Sequence, residues 1–222
     1  MTKELIVANR PKSATSEAIR TLRTNLQFTF VDNDVKVILV TSSIPGEGKS
    51  FISANLSAAF ALSNMKVLLI DCDLRKGRQK DIFEIEEEKG LSNLLLDNIK
   101  NYKKYIKTTK VNNLSVLPGG IVPPNPSELL SSEKNQELFE QLKKDYDLII
   151  IDSPPVNAIT DALILTSLAD EAVIVSACKK TPVDLLINTK KLLENSGIKI
   201  AGVIVNQMKQ MKNKYYYNKY YN

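Results

Sequence analysis

The stretch KVILVT at residues 36–41 is followed at once by Ser43-Ile44-Pro45-Gly46-Glu47-Gly48-Lys49-Ser50, which opens into an apolar helical pattern near 49–64. A strand, a glycine-rich turn and a helix in that order constrain the fold more than any other part of the chain. The eight residues match the phosphate-loop pattern, except that Ser43 stands where the first glycine is usual. Such a loop aims backbone N–H groups and a helix N-terminus at phosphate oxygens. Here Ser43, Pro45, Gly46, Glu47 and Gly48 would form the cradle. Lys49 would reach the outer phosphates, and the Ser50 hydroxyl would ligate Mg²⁺. The bland alternative is a strand–helix turn that happens to contain Gly-Lys-Ser. The strand before and the helix after weigh against it, because context is what confirms this motif. The chain is therefore expected to bind ATP with Mg²⁺.

The rest of the sequence repeats the alternation. Further apolar, β-branched runs lie at 66–71, 114–117, 147–151, 171–176 and 200–205, and helical patterns lie near 91–97, 127–144, 158–168 and 182–195. Runs this apolar suit strands covered on both faces. The expectation is an α/β fold like that of P-loop NTPases, a mostly parallel sheet with helices on both faces. A helix near 14–30 precedes the first strand, with Ile19, Leu22 and Leu26 on one face. Residues 72–90 are charged and patternless, and are expected to form a mobile loop. At 222 residues the chain suits one domain, expected over 1–206, with a disordered tail over 207–222.

Charge is distributed unevenly. The formal net charge is +5, and residues 207–222 hold four lysines and no acid. Subtracting those four leaves +1 for the body, which is not the footprint of a protein that coats nucleic acid. The tail also holds Tyr215, Tyr216, Tyr217, Tyr220 and Tyr221, five of the chain's eight tyrosines. Cys72 and Cys178 lie in apolar runs and are expected to be buried free thiols. The opening residues carry no apolar leader segment, and no run approaches the ~20 residues needed to span a bilayer. The expected location is cytoplasmic.

A phosphate loop needs carboxylates to hold the metal's water shell, typically at strand ends. LIIIDSPP places Asp152 after one apolar strand, and VLLIDCDLR places Asp71 and Asp73 after another, with Arg75 behind them. Positions two apart on a strand share a face, so Asp71 and Asp73 could converge on one site. Clustered acids suit either metal holding or acceptance of a proton from an incoming hydroxyl. Spacing alone does not say which acid takes which role.

Taken together, TSSIPGEGKS, VLLIDCDLR and LIIIDSPP resemble the Walker A, A′ and B set of the bacterial tyrosine kinases of capsule and exopolysaccharide assembly. VLPGGIVPPNPSELLSS is similar to that family's proline-rich connection. SEAIRTLRTNLQF is similar to its N-terminal helix, with Glu17, Arg20 and Arg23 in a Glu-x-x-Arg-x-x-Arg pattern. The resemblance covers essentially the whole chain. It implies catalysis by Lys49, Asp71 and Asp73, with Asp71 as proposed base, and a metal held by Ser50, Asp73 and Asp152. It implies Asn206 near the adenine and the five tail tyrosines as phosphoacceptors modified in trans. Glu17, Arg20 and Arg23 would join subunits in a ring-like homo-oligomer. As partners it implies a separate transmembrane activator that recruits the kinase to the inner membrane face, and a phosphotyrosine phosphatase.

The competing expectation is a Min- or Par-type positioning ATPase of the same fold. Those proteins carry a lysine five residues before the loop lysine, and Ile44 occupies that position here. Nucleic-acid binding by the Lys/Tyr tail would leave Asp71 and Asp73 without a purpose.

Overall fold

The computed structural model describes residues 3–30 and 34–208. In chain order the elements are α1 (Ile6–Asn9), α2 (Ala14–Phe30), β1 (Val37–Ser42), α3 (Lys49–Ala61), β2 (Val67–Asp71), α4 (Gln79–Ile82) and α5 (Leu91–Leu96). A 3₁₀ turn (Ile99–Lys104), β3 (Lys107–Thr108), β4 (Leu114–Leu117), α6 (Pro126–Leu130), α7 (Glu133–Asp145) and β5 (Leu148–Asp152) follow. The remainder is α8 (Asp161–Ile164) running into a 3₁₀ turn (Leu165–Leu168), then β6 (Glu171–Ala177), α9 (Val183–Asn195) and β7 (Lys199–Asn206). The strands form one sheet in the order β3-β4-β2-β5-β1-β6-β7. Every pairing is parallel except β3 with β4.

The central strands are apolar at nearly every position because both faces are covered. In β1, Val37 and Leu39 join the core cluster that contains α5, α7 and α9, while Ile38 and Val40 join the one that contains α2 and α3. β2 and β5 alternate in the same way. Leu68, Ile70, Ile149 and Ile151 face the first cluster, and Val67, Leu69, Leu148 and Ile150 face the second. Two-residue periodicity thus splits each strand between two dry layers. Every residue of Val37–Val40, Val67–Asp71 and Leu148–Asp152 is buried, the two terminal acids included.

Several expectations needed adjustment. The helical pattern near 127–144 is two helices, since Ser132 adopts extended dihedrals (φ −68°, ψ 149°) and its hydroxyl accepts from Asn135 N. That is an N-cap, which satisfies a donor the helix leaves orphaned and so restarts it. Segment 72–90 holds the short helix α4, with Leu74, Gln79 and Ile82 buried; it is a packed connection rather than a bare loop. Cys72 is buried, but Cys178 is only partly so. The two-residue strand β3 had no sequence signal. Of the tail expected over 207–222, all but Gln207 and Met208 lies outside the described residues. Among the described residues no helix is long and apolar enough to cross a membrane.

The N-terminal helix belongs to the body. Ile19 and Leu26 of α2 are buried against α3, and Phe30 stacks on the fully buried Phe60 with centroids 5.9 Å apart. Arg23 Nη1 donates to Ala59 O at 3.4 Å, placing a cation at the carbonyl end of α3. Glu17 and Arg20 pair with each other, and Arg20 also donates to Pro11 O. Replacing Phe60 with Ala should therefore cost about 3–5 kcal/mol of unfolding free energy, read from urea denaturation. A loss below about 1 kcal/mol, smaller than any usual cost of emptying such a site, would contradict this packing.

Candidate active site

The C-terminal ends of β1, β2 and β5 bring the three sequence motifs together. These strands are neighbours, so the loop after β1 and the acids ending β2 and β5 share one edge of the sheet. Crevices at that edge are where open α/β sheets bind ligands.

The loop after β1 is held open by its surroundings. Glu47 is fully buried, and its carboxylate accepts from Ile44 N at 2.7 Å, from Ala177 N at 3.2 Å and from the Thr181 hydroxyl. Its side chain is thus a strut inside the loop, not a group facing a ligand, and only its backbone serves the expected cradle. Gly46 O accepts from Lys180 Nζ and Gln207 Nε2, each at 3.0 Å. Ser43 O accepts from Asn157 Nδ2 at 3.2 Å, and Ser43 Oγ accepts from Thr189 Oγ1 at 2.9 Å. Asn206 Nδ2 donates to Glu47 O at 2.9 Å.

Gly48 caps α3 at φ +90°, a left-handed conformation that glycine adopts without strain. A Cβ there would lie 2.2 Å from Asn206 Nδ2. Glycine is needed for both reasons. No side chain caps α3, so the first turn of this 13-residue helix presents its N–H groups and positive dipole end to the crevice.

Facing the loop are the acids. Asp71 and Asp152 are register partners across β2 and β5, and both are buried. Burial, then the neighbouring Asp152 charge, pushes the Asp71 carboxyl well above the ordinary carboxylate range, against a bond from Gln79 N. Burial also raises Asp152, opposed by the Lys49 charge and by bonds from Gln79 and Ser50. Asp71 Oδ1 accepts from Asp73 N at 3.2 Å and Oδ2 from Gln79 N at 2.9 Å. Asp152 Oδ1 accepts from Ser53 Oγ at 3.3 Å and Oδ2 from Gln79 Nε2 at 2.8 Å. Asp73 lies just beyond the end of β2, where Lys49 Nζ donates to its Oδ2 at 3.2 Å. The structure thus gathers Lys49, Ser50, Asp71, Asp73 and Asp152 in one place.

The donor set suits Mg²⁺. Among the described residues no three acid, imidazole or thiol side chains are placed to enclose a metal ion. Mg²⁺ does not require that: it is commonly held by one or two carboxylates plus phosphate and water. Three carboxylates face one lysine ammonium here, so a cation and a phosphate tail would complement one another.

Residues 35–201 match the family described as AAA domain. Among the relatives that carry the tyrosine-protein kinase name are CapB of Staphylococcus aureus and YwqD of Bacillus subtilis. Each is 40% identical over 216 residues, 97% of this chain, covering 94% and 91% of their own lengths. The chain belongs to the bacterial tyrosine-protein kinases. Among solved structures, the chimerical protein CapA2B2 superposes with a TM-score of 0.90 at 40% identity, over 95% of this chain and 92% of that one. The septum site-determining protein MinD of Pyrococcus horikoshii, complexed with Mg-ADP, shares the fold at TM-score 0.66 and 25% identity, over 80% and 72% of the two chains.

Sequence reasoning on this kinase missed Gln79, Thr181, Asn157 and Thr189. Gln79 lies in the segment without pattern, and the other three act on the loop from far along the chain, 114 to 146 residues away. No spacing rule reaches them. Gly48→Ala should destabilise the kinase by about 1–3 kcal/mol, the usual cost of forcing a side chain into such a conformation, and weaken ATP binding with it. Unchanged denaturation and nucleotide titration would contradict the loop geometry.

Proposed function

We propose that this kinase transfers the γ-phosphoryl group of ATP to the tyrosines of its own C-terminal tail, in trans. The observation that carries the reading is the placement of Lys49 against Asp73, beside Asp71 and Asp152, where the uncapped start of α3 meets the sheet edge. Phosphoryl transfer depends chiefly on positioning and on neutralising charge. Lys49 reaches the phosphates only by sharing or releasing Asp73, so nucleotide entry exchanges one charge partner for another. Ser50, Asp73 and Asp152 would hold Mg²⁺, which when bound supplies electrostatic stabilisation of the phosphates. Asp71 is the proposed acceptor of the tyrosine proton; a tyrosine hydroxyl normally ionises near ~10, so a carboxylate beside it eases proton loss. Asn206 holds Glu47 O through its amide nitrogen, and its carbonyl oxygen is proposed to meet the adenine.

Further parts of the reading rest on the family resemblance. Glu17, Arg20 and Arg23 are proposed to contact a neighbouring subunit in a ring. Their internal partners, described above, would then be shared or exchanged on assembly. A transmembrane activator is proposed to recruit the kinase to the inner face of the plasma membrane, a phosphatase to reverse the modification, and the cycle to regulate capsular or exopolysaccharide synthesis. The names CapB and CapA2B2 accord with that setting.

The acceptor tyrosines Tyr215, Tyr216, Tyr217, Tyr220 and Tyr221 lie outside the described residues. Each phosphate adds about −1.5 to −2 charges, so three would overturn the four lysines of residues 207–222. Unphosphorylated tails are expected to dock in neighbouring sites, and phosphorylated ones to leave. Replacing all five tyrosines with Phe should abolish most phosphotyrosine after incubation with ATP and Mg²⁺, and should keep the assembly intact by light scattering. A Phe variant that incorporates phosphate like the wild type, or dissociates as readily, would contradict the tail's role.

A further inference from the structure

Gln79 opens α4 and is fully buried. Its backbone N–H holds Asp71 Oδ2, while its side-chain Nε2 donates to Asp152 Oδ2 at 2.8 Å and to Ser50 O at 3.1 Å. One residue therefore ties together both strand-end acids and the first turn of α3. The orientation of the amide is determined by these partners. Turning it over would set Oε1 against a carboxylate oxygen and a carbonyl oxygen, two acceptors that offer no proton. With both Nε2 hydrogens used, Oε1 is left as a buried acceptor without a partner among the described residues. A buried acceptor left unmet is costly, and buried polar atoms of native proteins are nearly always met. A donor beside Oε1 would complete the hydrogen bonding of this amide. The amide is fixed by the Asp152 carboxylate and the Ser50 carbonyl, and these belong to two of the three residues assigned above to Mg²⁺.

We propose that Gln79 is a positioning residue for the divalent cation: its amide N–H groups fix Asp152 and Ser50, and its Oε1 accepts a hydrogen bond from a water in the cation's shell. Water is the fitting donor, because Mg²⁺ dehydrates reluctantly and keeps several waters when bound beside phosphates. A metal-bound water is also a stronger donor than a free one, since the cation acidifies it. The proposal rests on the Mg²⁺ reading of the site given above. It goes beyond that reading by adding a group that touches neither nucleotide nor metal.

The test uses the full chain and reads metal binding directly. Mn²⁺ is titrated by electron paramagnetic resonance in the presence of ADP, and ADP affinity is measured separately in EDTA. Gln79→Met keeps the length and removes every polar contact of the side chain. It should weaken Mn²⁺ by about 10- to 100-fold, the usual effect of losing such an outer partner, while metal-free ADP affinity stays within about threefold. Gln79→Glu restores an acceptor but sets a carboxylate against Asp152, so it should not rescue Mn²⁺ binding. A purely structural role would instead lower metal-loaded and metal-free affinities together, and that result, or unchanged Mn²⁺ binding, would overturn the proposal. If Gln79→Met does not fold, the wild type decides: the side-chain amide resonances of Gln79 in ¹⁵N-labelled protein should shift when Mg²⁺ is added to the ADP-loaded form. Unmoved resonances would overturn the proposal. Absence of any Mn²⁺ binding by the ADP-loaded wild type would overturn both the metal reading and the part given to Gln79.

Discussion

Two carboxylates stand side by side at the ends of adjacent parallel strands, both out of reach of water. Strand spacing sets the Asp71 and Asp152 backbones about 4.8 Å apart. Two full charges at that separation would repel by about 3–4 kcal/mol at an effective dielectric of about 20, before the penalty of desolvation. The surroundings answer that problem. Gln79 donates to both acids, Ser53 and the Asp73 backbone each donate to one, and Lys49 brings a positive charge against the third acid. Burial, more than mutual repulsion, keeps both strand-end acids raised above the usual range, and the hydrogen bonds and one ammonium oppose that shift without cancelling it. A divalent cation is the natural complement of such a site.

The loop opposite meets a complementary demand. A chain segment that offers its N–H groups to phosphate cannot satisfy them internally, so it must be braced through its carbonyls and side chains. The buried Glu47 carboxylate gathers Ile44, Ala177 and Thr181, while Lys180, Gln207, Asn157 and Asn206 donate to loop carbonyls. Most of these braces come from β6, β7 and the turns beside them. The far side of the sheet thus fixes the geometry of the loop, and Gly48 is the residue whose missing side chain lets Asn206 approach.

The fold was largely legible in the sequence because strands buried on both faces must be apolar at nearly every position. The central strands β1, β2, β5 and β6 carry that mark most plainly. β7 reads as apolar too, although it is an edge strand with Val203 and Val205 exposed. The exceptions have physical causes. β3 is two residues long and partly exposed, so hydrophobic burial leaves no mark on it. The break between α6 and α7 depends on Ser132 preferring a capping geometry in a stretch that reads as one helix. Within the site, the loop and the three aspartates were readable because strand ends and glycine spacing encode them. Glu47 was readable as part of the loop but not as its brace. Gln79 was hidden in a charged segment, because a single buried amide has no periodicity to announce it.

The central claim is that this cluster of Lys49, Asp71, Asp73 and Asp152 performs phosphoryl transfer. Intact-mass spectrometry of the purified chain after incubation with ATP and Mg²⁺ tests it most directly, comparing wild type with Lys49→Met. The wild-type chain should carry phosphate and a folded Lys49→Met variant none, since the ammonium that meets the transferring group is gone. Equal phosphate on both would contradict it.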